Sequence, residues 1–399
     1  MTTFGRCLLF FWMVVFLPTS TLRARDLRFG GSLRGYQFLG AEDSPLAQRR
    51  DAELWILRLT PEGSWGRHLS FEVHGLLSVL SPPLVGISRI AVSDSRKFLP
   101  LDRDFTDSAR IDLLGSLDRL NLQIDFESVK FTLGRQAVTW GVGFFWPSMD
   151  LFAPFAPQQI DREYKAGVDA VRVTVPLGPL SELEVIGASL GSSVRQDGAA
   201  GALLRLNVGS ADFGLMGGKF HRDTVAGGFL TADVQGTGLR GELTWTQSGD
   251  PEDALRDRRQ FWRGSVGLVR QVIPSITLTL ELAWNGFGSS DPSEYLSLLQ
   301  ADRTLRGEVN ALAQTYSGFS VSWLLHPLFT FSHALLINWN DRSSLWIPAL
   351  NWSTGNNSEI LFGAQFGIGK GLSEDQSPRL RSEYGSATNT LFGALKFYF

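Results

Sequence analysis

The segment TNTLFGALKFYF, Thr388 to Phe399, is the last of the sequence. Taken alternately, its residues fall into two sets. One is Leu391, Gly393, Leu395, Phe397 and Phe399; the other is Thr390, Phe392, Ala394, Lys396 and Tyr398. A period of two marks a strand with one apolar face. Chain ends fray unless something holds them. The segment therefore predicts a final strand that pairs with neighbours and turns its apolar face to something other than water.

Working back along the chain, the same alternation recurs. Leu69, Phe71, Val73, Leu77 and Val79 interleave with Ser70, Glu72, His74 and Ser78. Ile276, Leu278, Leu280, Leu282 and Trp284 interleave with Thr277, Thr279, Glu281 and Asn285. Short turns such as GSAD (209–212) and GTG (236–238) alternate with longer connections near 81–110, 141–165, 286–314 and 370–387. Short turns on one side and long loops on the other are the pattern of a transmembrane antiparallel β-barrel. Counting segments gives about 18 strands by this reading, or 16 if the weak segments 50–60 and 344–353 (the latter interrupted by Pro348) are not strands. A soluble all-β sandwich, jelly roll or propeller would also alternate. Its outer face should carry many lysines, whereas here the polar face is rich in Gly, Ser, Thr, Asn, Gln and Arg. Trp245, Trp284, Trp323 and Phe399 lie near strand ends, as interfacial girdles require.

Composition agrees. The 399 residues include 28 Phe, 12 Trp and 42 Gly, with a net charge of −3, which gives no basis for general nucleic-acid binding. After residue 25 no apolar run is long enough for a membrane-spanning helix. At the start, Arg6 precedes the apolar stretch Cys7–Leu17, then Pro18 and small residues, which predicts a secretory signal peptide over 1–24 and a barrel over 25–399. Cys7 is the only cysteine, so the expected mature chain has no disulfide and no cysteine-based metal site. No cofactor or metal is expected.

One connection differs from the rest: GRQAVTWGVGFFWPSMDLFAPFAPQQIDREYKAGVDAVRVTV, Gly134 to Val175. The apolar parity shifts after Leu133, which predicts a β-bulge near Gly134–Gln136 turning Arg135 inward. The following stretch is aromatic and Pro-rich. Phe144, Phe145, Trp146, Phe152 and Phe155 seek burial, and the nearest space is the lumen. This third extracellular loop is therefore expected to fold inward and narrow the channel; packing outside on neighbouring loops or on lipopolysaccharide is the alternative.

Strand parity points several arginines inward. Arg34, Arg119, Arg135, Arg172 and Arg263 fall at mid-height or above, whereas Asp125, Glu182, Glu184, Glu242 and Glu359 fall near the periplasmic turns. Asp150, Asp161, Glu163 and Asp169 could face the arginines from the loop. Charged rings set ion preference in pores, so a mildly anion-preferring constriction is expected. Simple pairing of wall arginines with wall acids is the competing explanation for any one of them. His74 shares a strand face with Ser70 and Ser78, but such neighbours stand about 7 Å or more apart, too far for direct proton transfer. No enzymatic activity is expected.

The run LGRQAVTWG…DLFAPF…GVDAVRV resembles the Gly-Arg-Gln…Trp-Gly hairpin of alginate-export-type porins and related Gram-negative outer-membrane proteins, through Gly134, Arg135, Gln136, Trp140 and Gly141. The resemblance implies an eighteen-stranded, monomeric, passive channel in the bacterial outer membrane, with an arginine-rich pore for anionic solutes. The C-terminal segment is similar to the signature that the barrel-assembly machinery recognises, which makes Leu395, Phe397 and Phe399 the expected assembly signal. The expected partners are outer-membrane lipid, lipopolysaccharide, that machinery and a small hydrophilic solute. A non-conducting barrel serving as scaffold or surface receptor is the second functional expectation.

Overall fold

The computed structural model describes residues 26–40, 51–81, 98–107, 111–191, 193–249, 258–373, 379–387 and 389–399. The expected signal peptide, Cys7 included, lies outside them. The strands are β1 (Asp26–Arg28), β2 (Gly31–Gly40), β3 (Asp51–Leu59), β4 (Glu62–Trp65), β5 (Leu69–Ser81), β6 (Asp102–Asp107), β7 (Asp112–Phe126), β8 (Val129–Gln136), β9 (Val168–Pro176), β10 (Glu182–Ser189), β11 (Gly198–Val208), β12 (Ala211–Phe220), β13 (Asp223–Val234), β14 (Thr237–Gln247), β15 (Gln260–Ile273), β16 (Ile276–Asn285), β17 (Thr315–His326), β18 (Phe329–Asn338), β19 (Ser343–Gly355), β20 (Ser358–Ile368) and β21 (Thr390–Tyr398). β1, β4 and β6 are short additions. The other eighteen pair antiparallel in chain order, and β21 returns to β2 from Ser32↔Tyr398 to Gly40↔Thr390. The wall is a closed barrel, so no edge is left unpaired.

Both weak segments are strands. β19 tolerates Pro348 because its ladder to β20 runs Trp346↔Phe366, omits Ile347 and Pro348, and resumes at Ala349↔Gly363 in the same register. Proline has no N–H to give the ladder, and the flanking pairs carry the strand across the gap. The seam closes at the chain terminus. Gly31 N–H donates to the Phe399 carbonyl at 2.8 Å and Phe399 N–H to the Gly31 carbonyl at 3.0 Å. A Cβ on Gly31 would lie 2.6 Å from both the Phe399 ring and the Arg58 carbonyl oxygen, so only glycine fits there.

The outer face is apolar. Leu215, Val266, Leu282, Trp262, Trp284, Trp323, Leu391, Leu395, Phe397 and Phe399 all stand exposed on it. Among the described residues no helix is long and apolar enough to cross a membrane, and in a barrel the strands cross instead. Buried apolar side chains gather instead inside the barrel, where Trp140, Met149 and Phe152 of the connection 137–167 (L3) are fully buried against wall residues such as Ile186, Leu203 and Phe220. L3 folds inward, as its composition predicted.

The expected bulge at Gly134–Gln136 is absent. The pairings of β8 with β7 and β9 run without a register shift through those residues, although Gly134 takes a left-handed φ of 108°. The register shift lies opposite, between His74 and Gly75, where β5 faces β7 and Asp118 is the extra residue. That bulge lets Asp118 and Arg119, adjacent in sequence, both be buried.

Candidate functional site: a loop folded across the lumen

L3 is held to the wall by carboxylates that accept from its backbone. Glu281 on β16 accepts from the N–H groups of Phe144, Phe145 and Trp146 at 2.5–3.1 Å. Glu242 on β14 accepts from Val142, Gly143 and Met149 at 2.6–3.1 Å. Glu184 on β10 accepts from the indole Nε1 of Trp140 at 2.6 Å. An irregular loop carries backbone donors that no ladder satisfies, and a buried carboxylate can take two or three of them. Height does not keep Glu242 at the turns, where the alternation argument placed it: it pairs in register with Phe229 and Ser265, at mid-strand. Glycine in the wall makes room for the loop. A Cβ on Gly318 would meet the Phe145 ring at 2.4 Å.

From this anchorage L3 reaches the opposite wall. Gln365 on β20 donates to the Gln158 carbonyl at 2.7 Å. Arg34 on β2 donates to Asp161 at 2.5 Å and lies 3.5 Å from Glu163, which Lys396 of β21 also approaches at 3.5 Å. Tyr164 lies beneath two guanidinium groups, Arg58 at 4.0 Å and Arg34 at 5.1 Å from its ring centre. Asp118 accepts from Arg58 at 2.8 Å and from the Gly167 N–H at 3.0 Å, and Arg119 donates to the Lys165 carbonyl. Buried Lys165 is bonded to Asp150 and to Thr139 Oγ1. L3 thus spans the barrel and is pinned at both sides.

The predicted arginine belt divides on inspection. Arg34, Arg119, Arg135 and Arg263 are all buried, each beside an acid: Asp161, Asp118, Asp169 and Glu308 respectively. Arg135 occupies the seam where β8 and β9 end, with Nε and Nη2 each 2.9 Å from the Asp169 carboxylate and its other N–H groups on the Leu117 and Leu99 carbonyls. It is fully buried and does not face open lumen. The absent bulge removes the reason for an inward turn. Asp150 meets Lys165 rather than an arginine. Of the five, Arg172 alone keeps water contact, its side chain 24% exposed and 3.8 Å from Glu184.

Two further wall arginines share that contact. Arg205 is 36% exposed, 3.7 Å from Glu182, and Arg240 is exposed, stacked 4.4 Å over the Phe144 ring on the periplasmic side of L3. His74 is 3.1 Å from Glu72 and 3.2 Å from Arg58 Nη1, within this ion network.

The connection 286–314 (L7) also folds in, a contribution the alternation could not reveal because L7 has no strand period. Its Glu308 lies within 3.5 Å of Arg263, Arg303 and Arg306. Burial opposes ionisation there, but Arg306, Arg303 and Arg263 together hold the Glu308 carboxyl well below the usual range. Arg303 also meets Asp223 at 2.5 Å. Glu383, from the connection 369–389 (L9), accepts from Tyr316 Oη at 2.5 Å, Asn338 Nδ2 at 2.9 Å and the Leu312 N–H at 3.3 Å. Burial, reinforced by nearby Asp341, pushes the Glu383 carboxyl up to about 7.

A closed eighteen-stranded wall, a lipid-facing apolar belt and an inward third loop define a transmembrane β-barrel with the fold of porins. Solved structures with this fold include OccAB4 of Acinetobacter baumannii (TM-score 0.56, 8% identity, covering 95% of this chain and 100% of that one), OccK11 (OpdR) of Pseudomonas aeruginosa (0.56, 9%, 94% and 96%) and OpdK of the same organism, solved with vanillate (0.57, 12%, 94% and 99%). At these identities the likeness is one of fold. Comparison with protein-family models and with curated proteins finds no match.

Proposed function

We propose that this protein is a passive outer-membrane channel for small hydrophilic solutes, with a preference for anions. The observation that carries the reading is the trio Arg172, Arg205 and Arg240. These remain in contact with water on the lumen wall, while acids of the loop that crosses the lumen are already paired, Asp150 with Lys165 of the loop itself and Asp161 with Arg34 of the wall. Guanidinium groups bind carboxylates and phosphates in bidentate fashion, and a partly screened trio attracts anions without trapping them. Solved structures of similar fold include several of the Occ and OprD type, one of them solved with vanillate, an aromatic carboxylate. They support a porin. The alginate-export resemblance adds only its five matching residues, of which Arg135 lies in the wall. A non-enzymatic role and an outer-membrane location belong to the same reading.

Liposome swelling tests it. Vesicles carrying the folded protein should swell faster in small organic acids than in cations of equal size. A barrel that admits neither would favour the scaffold or surface-receptor reading, for which the joint packing of L3, L7 and L9 at the extracellular end speaks.

A further inference from the structure

Between L3 and L7 lies a cavity of about 50 Å³, lined among others by Trp146, Phe155, Arg263, Asn310 and Tyr316. About 10–15 Å³ of such space is enough for one water, so this one takes a few waters or one small molecule. Two side chains lining it carry buried N–H groups that have no acceptor among the described residues: Trp146 at Nε1, and Arg263 at Nε and Nη2. Arg263 is only 6% exposed. Its Nη1 donates to the Glu308 carbonyl at 3.1 Å, and Nη2 lies 3.5 Å from Glu308 Oε1 without forming a hydrogen bond.

The unused groups of Arg263 are the two on one edge of the guanidinium, the edge that grips a planar oxyanion side-on. Arg135 shows the same edge in use: its Nε and Nη2 take both oxygens of Asp169. Nearby acids do not fill the role. Glu308 is engaged by Arg303 and Arg306, and the Glu242 oxygens accept three L3 backbone N–H groups. Buried donors nearly always have acceptors, and here the two side chains that carry three unmet donors line one space.

We propose that the L3–L7 cavity binds a planar monovalent oxyanion, held side-on by the Nε and Nη2 edge of Arg263 and capped by the Trp146 indole N–H. Such a ligand would tie the two loops together. The site requires only the folded barrel, so its existence does not depend on conduction. The oxyanion could be a free small anion or the carboxylate end of a longer solute.

The test is calorimetric titration of the detergent-solubilised folded protein with sodium formate and sodium nitrate, and with sodium sulfate as a tetrahedral control. Saturable binding of formate and nitrate at one site per barrel is expected, with no matching sulfate site. Trp146→Phe keeps the ring and removes the donor; it should weaken binding about tenfold, the worth of one charge-assisted hydrogen bond. Arg263→Gln should abolish binding, and if that variant does not fold, Trp146→Phe still decides. Competition by longer monocarboxylates would assign the site to a solute's carboxylate end; failure to compete would assign it to a free anion. Flat titrations with both anions, meaning the cavity holds water alone, or unchanged affinity in Trp146→Phe, would overturn the proposal.

Discussion

Replacing Glu281 with Gln should release L3 from the wall. The carboxylate of Glu281 is 1% exposed and accepts three backbone N–H groups, two on Oε1 and one on Oε2. Glutamine keeps one oxygen, which can serve Phe145 and Trp146, but it turns an NH₂ group toward the Phe144 N–H. One charge-assisted bond is lost and two become neutral, a cost of about 2–4 kcal/mol. Relief from burying a charge offsets part of this and moves the figure toward about 2 kcal/mol. At about 1.4 kcal/mol per factor of ten, the docked-to-undocked ratio of L3 should fall roughly 30-fold. Thiol labelling reads this directly, since the only native cysteine, Cys7, lies in the leader expected to be cleaved. With Ala156→Cys as reporter, maleimide modification should quicken by about the same factor in Glu281→Gln, with larger conductance fluctuations. A labelling rate within about twofold of the parent, in protein that still migrates as a folded barrel, would show that the Glu281 contacts do not hold the loop.

Reversing two lumen charges, Arg205→Glu with Arg240→Glu, should move the channel toward cations without loss of folding, because both side chains are water-exposed; ion selectivity of the double variant checks this. Gly31→Val should block closure, since its Cβ would press on the Arg58 carbonyl oxygen and the Phe399 ring, each at 2.6 Å; the yield of heat-modifiable barrel after refolding should collapse. Docking of L9 buries Glu383 and raises its carboxyl from 4.5 to about 7, so the docked state favours the protonated form. The stabilisation is complete below about pH 4.5, declines through the window from 4.5 to 7, and is lost above it, a swing on the order of 3 kcal/mol. Channel noise should therefore rise from pH 5 to pH 8, and Glu383→Gln should flatten that dependence.

Much of the fold was legible because a strand's period is local. Ile276 to Trp284 and Leu391 to Phe399 each declare a lipid face within nine residues, and alternating turn lengths order the strands. The inward loop was legible too, since Phe144, Phe145, Trp146 and Phe152 had to be buried somewhere. That acids such as Asp161 and Asp169 would face arginines was legible as well, but which partners meet was not, because that depends on contacts distant in sequence. Arg34 finds Asp161 across 127 residues, and Glu281 finds Phe144 across 137. Parity showed which way Arg34, Arg119 and Arg263 point but not that loops cover them. The inward turn expected of Arg135 rests on a bulge that lies instead at Asp118 of β7. Glu308 and Glu383 lie in loops without periodicity, where no residue spacing marks a partner.

If anions pass along the water-exposed arginines of this loop-crossed, eighteen-stranded barrel, chloride rather than potassium carries most of the current. Reversal potential of the purified protein in a planar bilayer under a KCl gradient tests it most directly. Discrete conductance steps with a potential of the sign set by chloride are predicted; silent membranes, or a potential set by potassium, would contradict it.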